Sequence, residues 1–369
     1  MKFGLMFFAS AAQTGARELY ELIQSAAVFA DRQGFTSVWT PERHFQEFGG
    51  FFPNPAVLSA ALASITRRVQ LRAGSLISPL HHTIRVAEEW ALVDNLSGGR
   101  VGVSFGSGWN VDDFVFFPER YADRQSVMFD QIQVVQRLWA GQTVSCTNTF
   151  EKPVDVRLSP RPVQPSLPVW VTSSGNIQTF VRAGEIGANV LTHLVAQDAP
   201  ALAAKIAAYR EARERSGLEP DTGEVTLMLH TFVGGEMAKT RRQAAPAMRE
   251  YLRSAIALEK SAARGGGTVS GGRRLQADSS DQNLDELLDI TVERYLDRGS
   301  LIGTVESCAA IVDTVAGIGV TEIACLIDFG VEHTAVLEGL PWLEKLQDRC
   351  RQSSADCSME LIQQFSEAL

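Results

Sequence analysis

The feature that most constrains this chain is an alternation of short apolar runs with helical stretches, beginning at the first residues and joined by short connections. Residues 2–9 read as a strand, 18–33 carry helical periodicity, and Gly34 stops that helix before a strand over 36–40. After the loop Phe52-Pro53-Asn54-Pro55, a helix through Ser64 leads to a strand over 69–77. The helix 83–96 closes on Gly98-Gly99 and gives way to a strand over 101–105. Strands alternating with helices at this spacing require a parallel sheet with right-handed crossovers.

The second half repeats the theme with interruptions. Residues 141–168 hold five prolines (Pro153, Pro160, Pro162, Pro165 and Pro168) and read as a long irregular connection. Strands follow at 169–172, 189–194, 225–233 and 322–329, with helices at 177–186, 199–216 and 336–346. The Gly-rich polar stretch 261–283 reads as a mobile loop. The eight strands predict an α/β fold, a single (β/α)8 TIM barrel with insertion loops over residues 1–369, rather than a doubly wound sheet.

Composition narrows the function classes. The net charge is −9 and no basic block stands out, which argues against nucleic acid and anionic membrane as partners while leaving room for a local anion site. Cys146, Cys308, Cys325, Cys350 and Cys357 are scattered, odd in number and without Cys-x-x-Cys spacing, a pattern of reduced cytosolic thiols rather than of disulfides or a metal site. The first dozen residues imitate a short signal peptide but also suit a first barrel strand. No run approaches the roughly 20 apolar residues of a membrane span. A cytoplasmic protein without a catalytic metal is expected.

In a barrel of this kind the C-terminal strand ends carry the chemistry. Glu42-Arg43-His44 leaves the strand 36–40, which makes His44 the first catalytic candidate; the plainer alternative is a loop histidine capping the next helix. Gly102-Val-Ser-Phe-Gly106-Ser107-Gly108-Trp109 closes the next strand but one, where glycines let the backbone approach a ligand and Trp109 can cover an aromatic ring. It lacks the G-x-G-x-x-G spacing of a dinucleotide fingerprint. Thr172-Ser173-Ser174-Gly175-Asn176, with Thr179, offers hydroxyls and free amides at a helix start, either a phosphate cradle or an ordinary N-cap. Arg124 opens a helix after that rim turn and is either a phosphate contact or a surface ion pair. His81-His82 precede Thr83, an apparent N-cap. His193, ending the sixth strand, is the better second site candidate.

Taken together these residues resemble the bacterial luciferase-like monooxygenases. The resemblance runs through Met1-Lys-Phe-Gly4, Gly34-Phe-Thr-Ser-Val-Trp39, Glu42-Arg-His-Phe45, Ala87-Glu-Glu89, Leu96-Ser-Gly-Gly-Arg100 and Gly303-Thr-Val-Glu306. Ser104–Trp109, Tyr121–Arg124 and Gly184–Asn189 are similar to the branch associated with polyketide and nonribosomal peptide assembly lines. The resemblance implies reduced FMN at the C-terminal mouth, O2 as co-substrate, and a separate flavin reductase. His44 matches the catalytic histidine of the family and Gly74-Ser75 the site of a non-prolyl cis peptide. Ser107, Trp109, Arg124, Ser174, Gly175, Asn176 and Thr179 match flavin-wall and phosphate positions, and His193 is counted with them. Ser107 stands where light-emitting relatives carry arginine, which shifts phosphate binding toward Arg124 and backbone amides. The implied activity is hydroxylation of a carrier-tethered or small amphipathic natural-product intermediate, with an acyl or peptidyl carrier protein and a second copy of the chain as further partners. Baeyer–Villiger oxygenation, a deazaflavin-dependent dehydrogenase and a non-catalytic flavin binder are the alternatives. Phe45, Phe48, Phe51, Phe52, Phe114, Phe116 and Phe117 suggest a substrate wall or a dimer contact, and 261–283 a lid over the site.

Overall fold

The computed structural model describes residues 1–8, 15–46, 51–195, 197–264 and 281–367. Its first half follows the expected alternation: β1 (Lys2–Met6), α1 (Ala16–Arg32), β2 (Ser37–Thr40), α2 (Pro55–Ile65), β3 (Gln70–Ile77), α3 (Thr83–Ser97) and β4 (Val101–Gly106). α1 buries the stripe Leu19, Leu22, Ile23, Ala26, Ala27 and Ala30, the spacing of one helical face. Asn54 caps α2 by accepting from the amides of Ala56 and Val57, with Pro55 at the first helical position. β4 is buried at every residue, as a strand covered on both faces must be.

The rest comprises α4 (Arg124–Trp139), β5 (Val144–Thr147), β6 (Pro153–Val156), β7 (Val169–Thr172), α5 (Ile177–Glu185), β8 (Asn189–His193), α6 (Ala199–Arg215), β9 (Val225–Val233), α7 (Met237–Arg264), α8 (Asp281–Arg298), β10 (Leu301–Gly303), α9 (Val305–Gly317), β11 (Glu322–Leu326) and α10 (His333–Glu367). Parallel pairing runs β11-β1-β2-β3-β4-β7-β8-β9 and closes through β9 and β11, an eight-stranded barrel ringed by helices. β10 extends the sheet beside the last residues of β9, pairing Leu301 with Thr231.

Three expectations are corrected. The Pro-rich stretch 141–168 is not wholly irregular, because β5 and β6 pair as an antiparallel hairpin with Pro153 as the first residue of its strand, where no ladder donor is needed. Thr83 does not cap α3; it is its first residue, and its hydroxyl accepts from Gln131. Of the proposed loop 261–283, residues 261–264 end α7 and 281–283 begin α8, while 265–280 lie outside the described residues, as does the lid assigned to them. Among the described residues no helix is long and apolar enough to cross a membrane.

Candidate active site

The C-terminal ends of β2, β3, β4, β7, β8 and β9 bring most of the sequence candidates to one mouth. Past β2 the main chain turns through a left-handed conformation at Phe45 (φ 58°). Beside that turn Glu42 is fully buried and holds two histidines on one oxygen: His44 Nε2 lies 2.8 Å and His81 Nε2 2.6 Å from Glu42 Oε1. The other oxygen accepts from the Ile77 amide at 2.7 Å. Burial alone raises a carboxyl pKa, but the bonds from His44 and His81, the His81 charge and the Ile77 amide together hold Glu42 below its ordinary value. His44 also meets the Phe116 ring at 5.1 Å between centroids, and Phe45 and Phe116 lie 5.6 Å apart as an exposed apolar lip.

Arg43 points back under this lip. Its guanidinium lies over Phe8 and Trp109, at 5.6 and 5.0 Å from the ring centres, so one face of Trp109 is already covered. Burial depresses the Arg43 pKa against the nearby charge of Asp113 and the Tyr251 hydroxyl, and Arg43 Nε is a buried donor with no partner among the described residues. Asp113 in turn is raised by burial and by Glu42, against Arg43, a hydrogen bond from Asn110 and His44.

At β3 the Gly74–Ser75 peptide is cis, and the pairing with β4 slips between Gly74 and Leu76. A side chain at 74 would be crowded, since a Cβ would lie 3.0 Å from the Trp39 ring and 3.2 Å from Met6 Cε. The slip brings Ser75 to Thr172, and Thr172 also meets Ser104, each pair of hydroxyl oxygens 2.6 Å apart across three strands. Ser107 and Trp109 occupy the half-buried turn after β4. Arg124 donates to the carbonyls of Gly108 (3.0 Å) and Tyr121 (2.8 Å) and covers the Tyr121 ring, so it braces the turn that carries them.

Ser174, Gly175, Asn176 and Thr179 sit where β7 enters α5. Asn176 caps the helix through Gln178 N, and the Thr179 amide donates to the Asn176 carbonyl. Lys205, which sequence reasoning missed, reaches this turn from α6: a Cβ on Gly175 would stand 3.2 Å from its Nζ, which donates to Gln197 at 2.6 Å. Nothing in the local sequence around Lys205 signals this, since α6 and the turn meet only through the fold. At the end of β8 the His193 ring accepts from the Val195 amide, and burial plus the Lys205 charge push it down to about 4. Its neighbour on β9, His230, is wholly buried, bonded to Tyr295 at 3.0 Å and pushed down to about 3 by burial and by His193; its Nε2 has no partner among the described residues.

His81, set aside in favour of His193, is therefore a full member of the Glu42 cluster, whereas exposed His82 is not. The phenylalanine wall is smaller than its letters suggest. Phe52 and Phe114 belong to the buried core, Phe117 is covered by Arg120, Phe48 lies outside the described residues, and Phe45 and Phe116 face outward.

An anionic cofactor with a flat ring fits this mouth. A helix start with a lysine beside it suits a phosphate, and Arg43 Nε and His230 Nε2 are buried with no partner among the described residues. Comparison with known proteins agrees in fold. A TM-score of 0.76 at 24% identity, over 94% of this chain and 98% of the other, relates it to the monooxygenase RslO1 from Streptomyces bottropensis. The FMN-bound oxygenating constituent of 3,6-diketocamphane monooxygenase from Pseudomonas putida, a type II Baeyer–Villiger enzyme, gives 0.71 at 17% over 94% and 97%. An F420-dependent secondary alcohol dehydrogenase gives 0.68 at 17% over 94% and 97%. In sequence, the chain is 28% identical over 229 residues to the oxygenase component of a flavin-dependent trigonelline monooxygenase from Acinetobacter baylyi, covering 60% of this chain and 61% of that one. It is 31% identical over 169 residues to the 4-hydroxyprotoasukamycin monooxygenase of Streptomyces nodosus subsp. asukaensis, covering 45% of each. The matches thus span about three fifths of the first relative and under half of the second. Residues 1–322 match the luciferase-like monooxygenases as a family, and the chain belongs to it.

Proposed function

We propose that this chain is the oxygenase component of a two-component flavin monooxygenase, taking reduced FMN from a separate reductase. With O2, it would hydroxylate a small amphipathic or carrier-tethered natural-product intermediate. The observation that carries the reading is His44, held on a buried carboxylate at the barrel mouth and lipped by Phe45 and Phe116. Reduced FMN, when bound, would supply the electrons that activate O2; the residues of the mouth would hold the flavin, and His44 would handle protons.

Ser174, Gly175, Asn176, Thr179 and Lys205 would hold the phosphate, and Ser107 and Trp109, on the turn that Arg124 fixes, would contact the flavin. Ser75, Ser104 and Thr172 would offer their linked hydroxyls to the bound flavin. His193, pushed down to about 4 by burial and the Lys205 charge, would add no charge near neutral pH. The oxygenase named from Acinetobacter baylyi and the FMN-bound Baeyer–Villiger constituent support the reductase and FMN readings. RslO1 and the asukamycin-related enzyme support a natural-product substrate.

Anaerobic titration with reduced FMN, reduced riboflavin and reduced F420 tests this, followed by O2 and product analysis with isotopically labelled oxygen. FMN should bind about ten- to a hundred-fold more tightly than riboflavin, the usual value of charge-assisted hydrogen bonds to phosphate. Lys205→Met should narrow that gap. Preference for F420 with no oxygen uptake would replace this reading with a hydride-transferring dehydrogenase. Equal affinity for the two flavins would remove the phosphate cradle.

A further inference from the structure

One buried carboxylate oxygen serves two imidazoles that stand in different places. His44 is 8% exposed and lies under the aromatic lip, whereas the His81 side chain is 21% exposed and so can exchange protons with water. His81 is fixed firmly: its amide donates to Ser78 O, and its carbonyl accepts from Arg120 Nη1 at 2.8 Å and Gln131 Nε2 at 3.1 Å. The Ile77 amide on the other Glu42 oxygen already ties the β2 loop to β3. That leaves the second histidine without an obvious purely structural purpose.

We propose that His81 is a positioning residue which sets the charge on Glu42 and thereby how firmly that carboxylate holds the His44 ring and its proton. This rests on the reading of His44 as the proton-handling group. Two cationic rings on one oxygen would repel each other, so the cluster favours one extra proton, and the solvent-reached ring is the one placed to hold it. The surrounding charges agree. Burial opposes a proton on His81, as does Arg120, but the hydrogen bond and charge of Glu42, with Glu89 from α3, outweigh them and raise His81 above the ordinary histidine range. Among the described residues, Asp113 from the turn after β4 is the further charge that acts on both Glu42 and His44, and Arg43 from the same loop acts on Asp113. With a cation at His81, the Glu42 charge is largely matched. His44 is then oriented by a hydrogen bond without being locked into an ion pair, and remains able to exchange its proton with bound substrate.

His81→Gln separates charge from geometry, since the glutamine amide can still donate to Glu42 Oε1 but carries no charge; His81→Asn serves the same purpose should the longer side chain disturb folding. In protein supplied with reduced FMN and O2, the acid limb of the pH profile for flavin-dependent oxygen uptake should move up by about one unit, the scale set by a neighbouring charge. A merely structural role predicts that glutamine restores the wild-type profile, and that result overturns the proposal. NMR of carbon-labelled histidine in the flavin-free protein gives a reading independent of turnover. In Glu42→Gln the His81 titration midpoint should fall, and in His81→Gln the His44 ring signals should change their response to pH. A static His81 midpoint overturns the proposal, as does a moved midpoint with unaltered His44 signals. Absence of oxygen uptake with intact NMR coupling counts against the oxygenase reading alone.

Discussion

Two glutamates are buried in the same barrel, one at each end, and their partners differ in kind. Glu322, at the N-terminal end, accepts from Arg72 Nη1 at 2.6 Å, Trp39 Nε1 at 3.3 Å, Thr226 Oγ1 at 3.5 Å and the Ser37 hydroxyl. Arg72 is itself clamped between the rings of Trp39 and Trp170, 4.9 and 4.1 Å from their centres. Every lone-pair direction of Glu322 is spoken for by donors that do not titrate near neutral pH. Glu42, at the C-terminal end, is bound instead by two imidazoles, a side-chain type able both to give and to take a proton, with an exposed lip above them. A buried carboxylate held by an arginine is fixed by a partner that keeps its charge, whereas one held by imidazoles has partners able to exchange a proton.

The largest expected effect tests the N-terminal end. Glu322→Ala leaves the Arg72 charge buried without its partner and should cost about 3–5 kcal/mol of stability, read by denaturant unfolding. Activity per folded molecule should change little. A variant as stable as the parent would mean that water or Glu224, 3.8 Å from Arg72, takes over and that the Arg72–Glu322 pair is dispensable.

The mouth should respond the other way round. His44→Ala should fold normally and keep its FMN affinity while losing about a hundred- to ten-thousand-fold in oxygenated product, the usual contribution of general acid–base catalysis. Measuring product per flavin oxidised separates this from lost binding. Unchanged coupling of oxygen use to product would return His44 to the status of a loop residue and erase the contrast with Glu322.

How much of this was legible in the sequence follows the same division. The barrel strands were readable because each is a short apolar run between helical periods, and Glu42-Arg43-His44 was conspicuous because it leaves one of them. The β5–β6 hairpin hid behind five prolines, although Pro153 only opens its strand. α7 and α8 are hard to read in the sequence because the glycines between them dominate that stretch. Contacts that cross the barrel left no local trace. Glu42 and His81 are separated by 39 positions, Arg72 and Glu322 by 250, and Lys205 meets the Gly175 turn only because α6 packs beside α5. Periodicity reports which face of an element is buried, not which charged groups the fold will bring together.

The smallest expected effect sharpens the comparison through pH. His81 has a folded pKa above its unfolded value, so its contribution to stability is fully present below the ordinary histidine value of about 6.5 and is lost as the pH rises through the raised folded value. Glu42 has a folded pKa below its unfolded value, so its contribution is present above the ordinary glutamate value of about 4.3 and is lost as the pH falls through the depressed one. Both contributions are present in full only in the mildly acidic window between those two ordinary values, and each fades gradually beyond its own end of it. The stability difference between the parent and His81→Gln should therefore be greatest there and shrink toward alkaline pH, as followed by denaturant melts at a series of pH values. The Arg72–Glu322 pair supplies the control: the loss caused by Glu322→Ala should stay nearly level over the same alkaline rise, because the guanidinium does not give up its proton. A His81→Gln penalty that is equally level would mean that His81 stabilises Glu42 by geometry alone. The two ends of the barrel would then differ in location but not in chemistry.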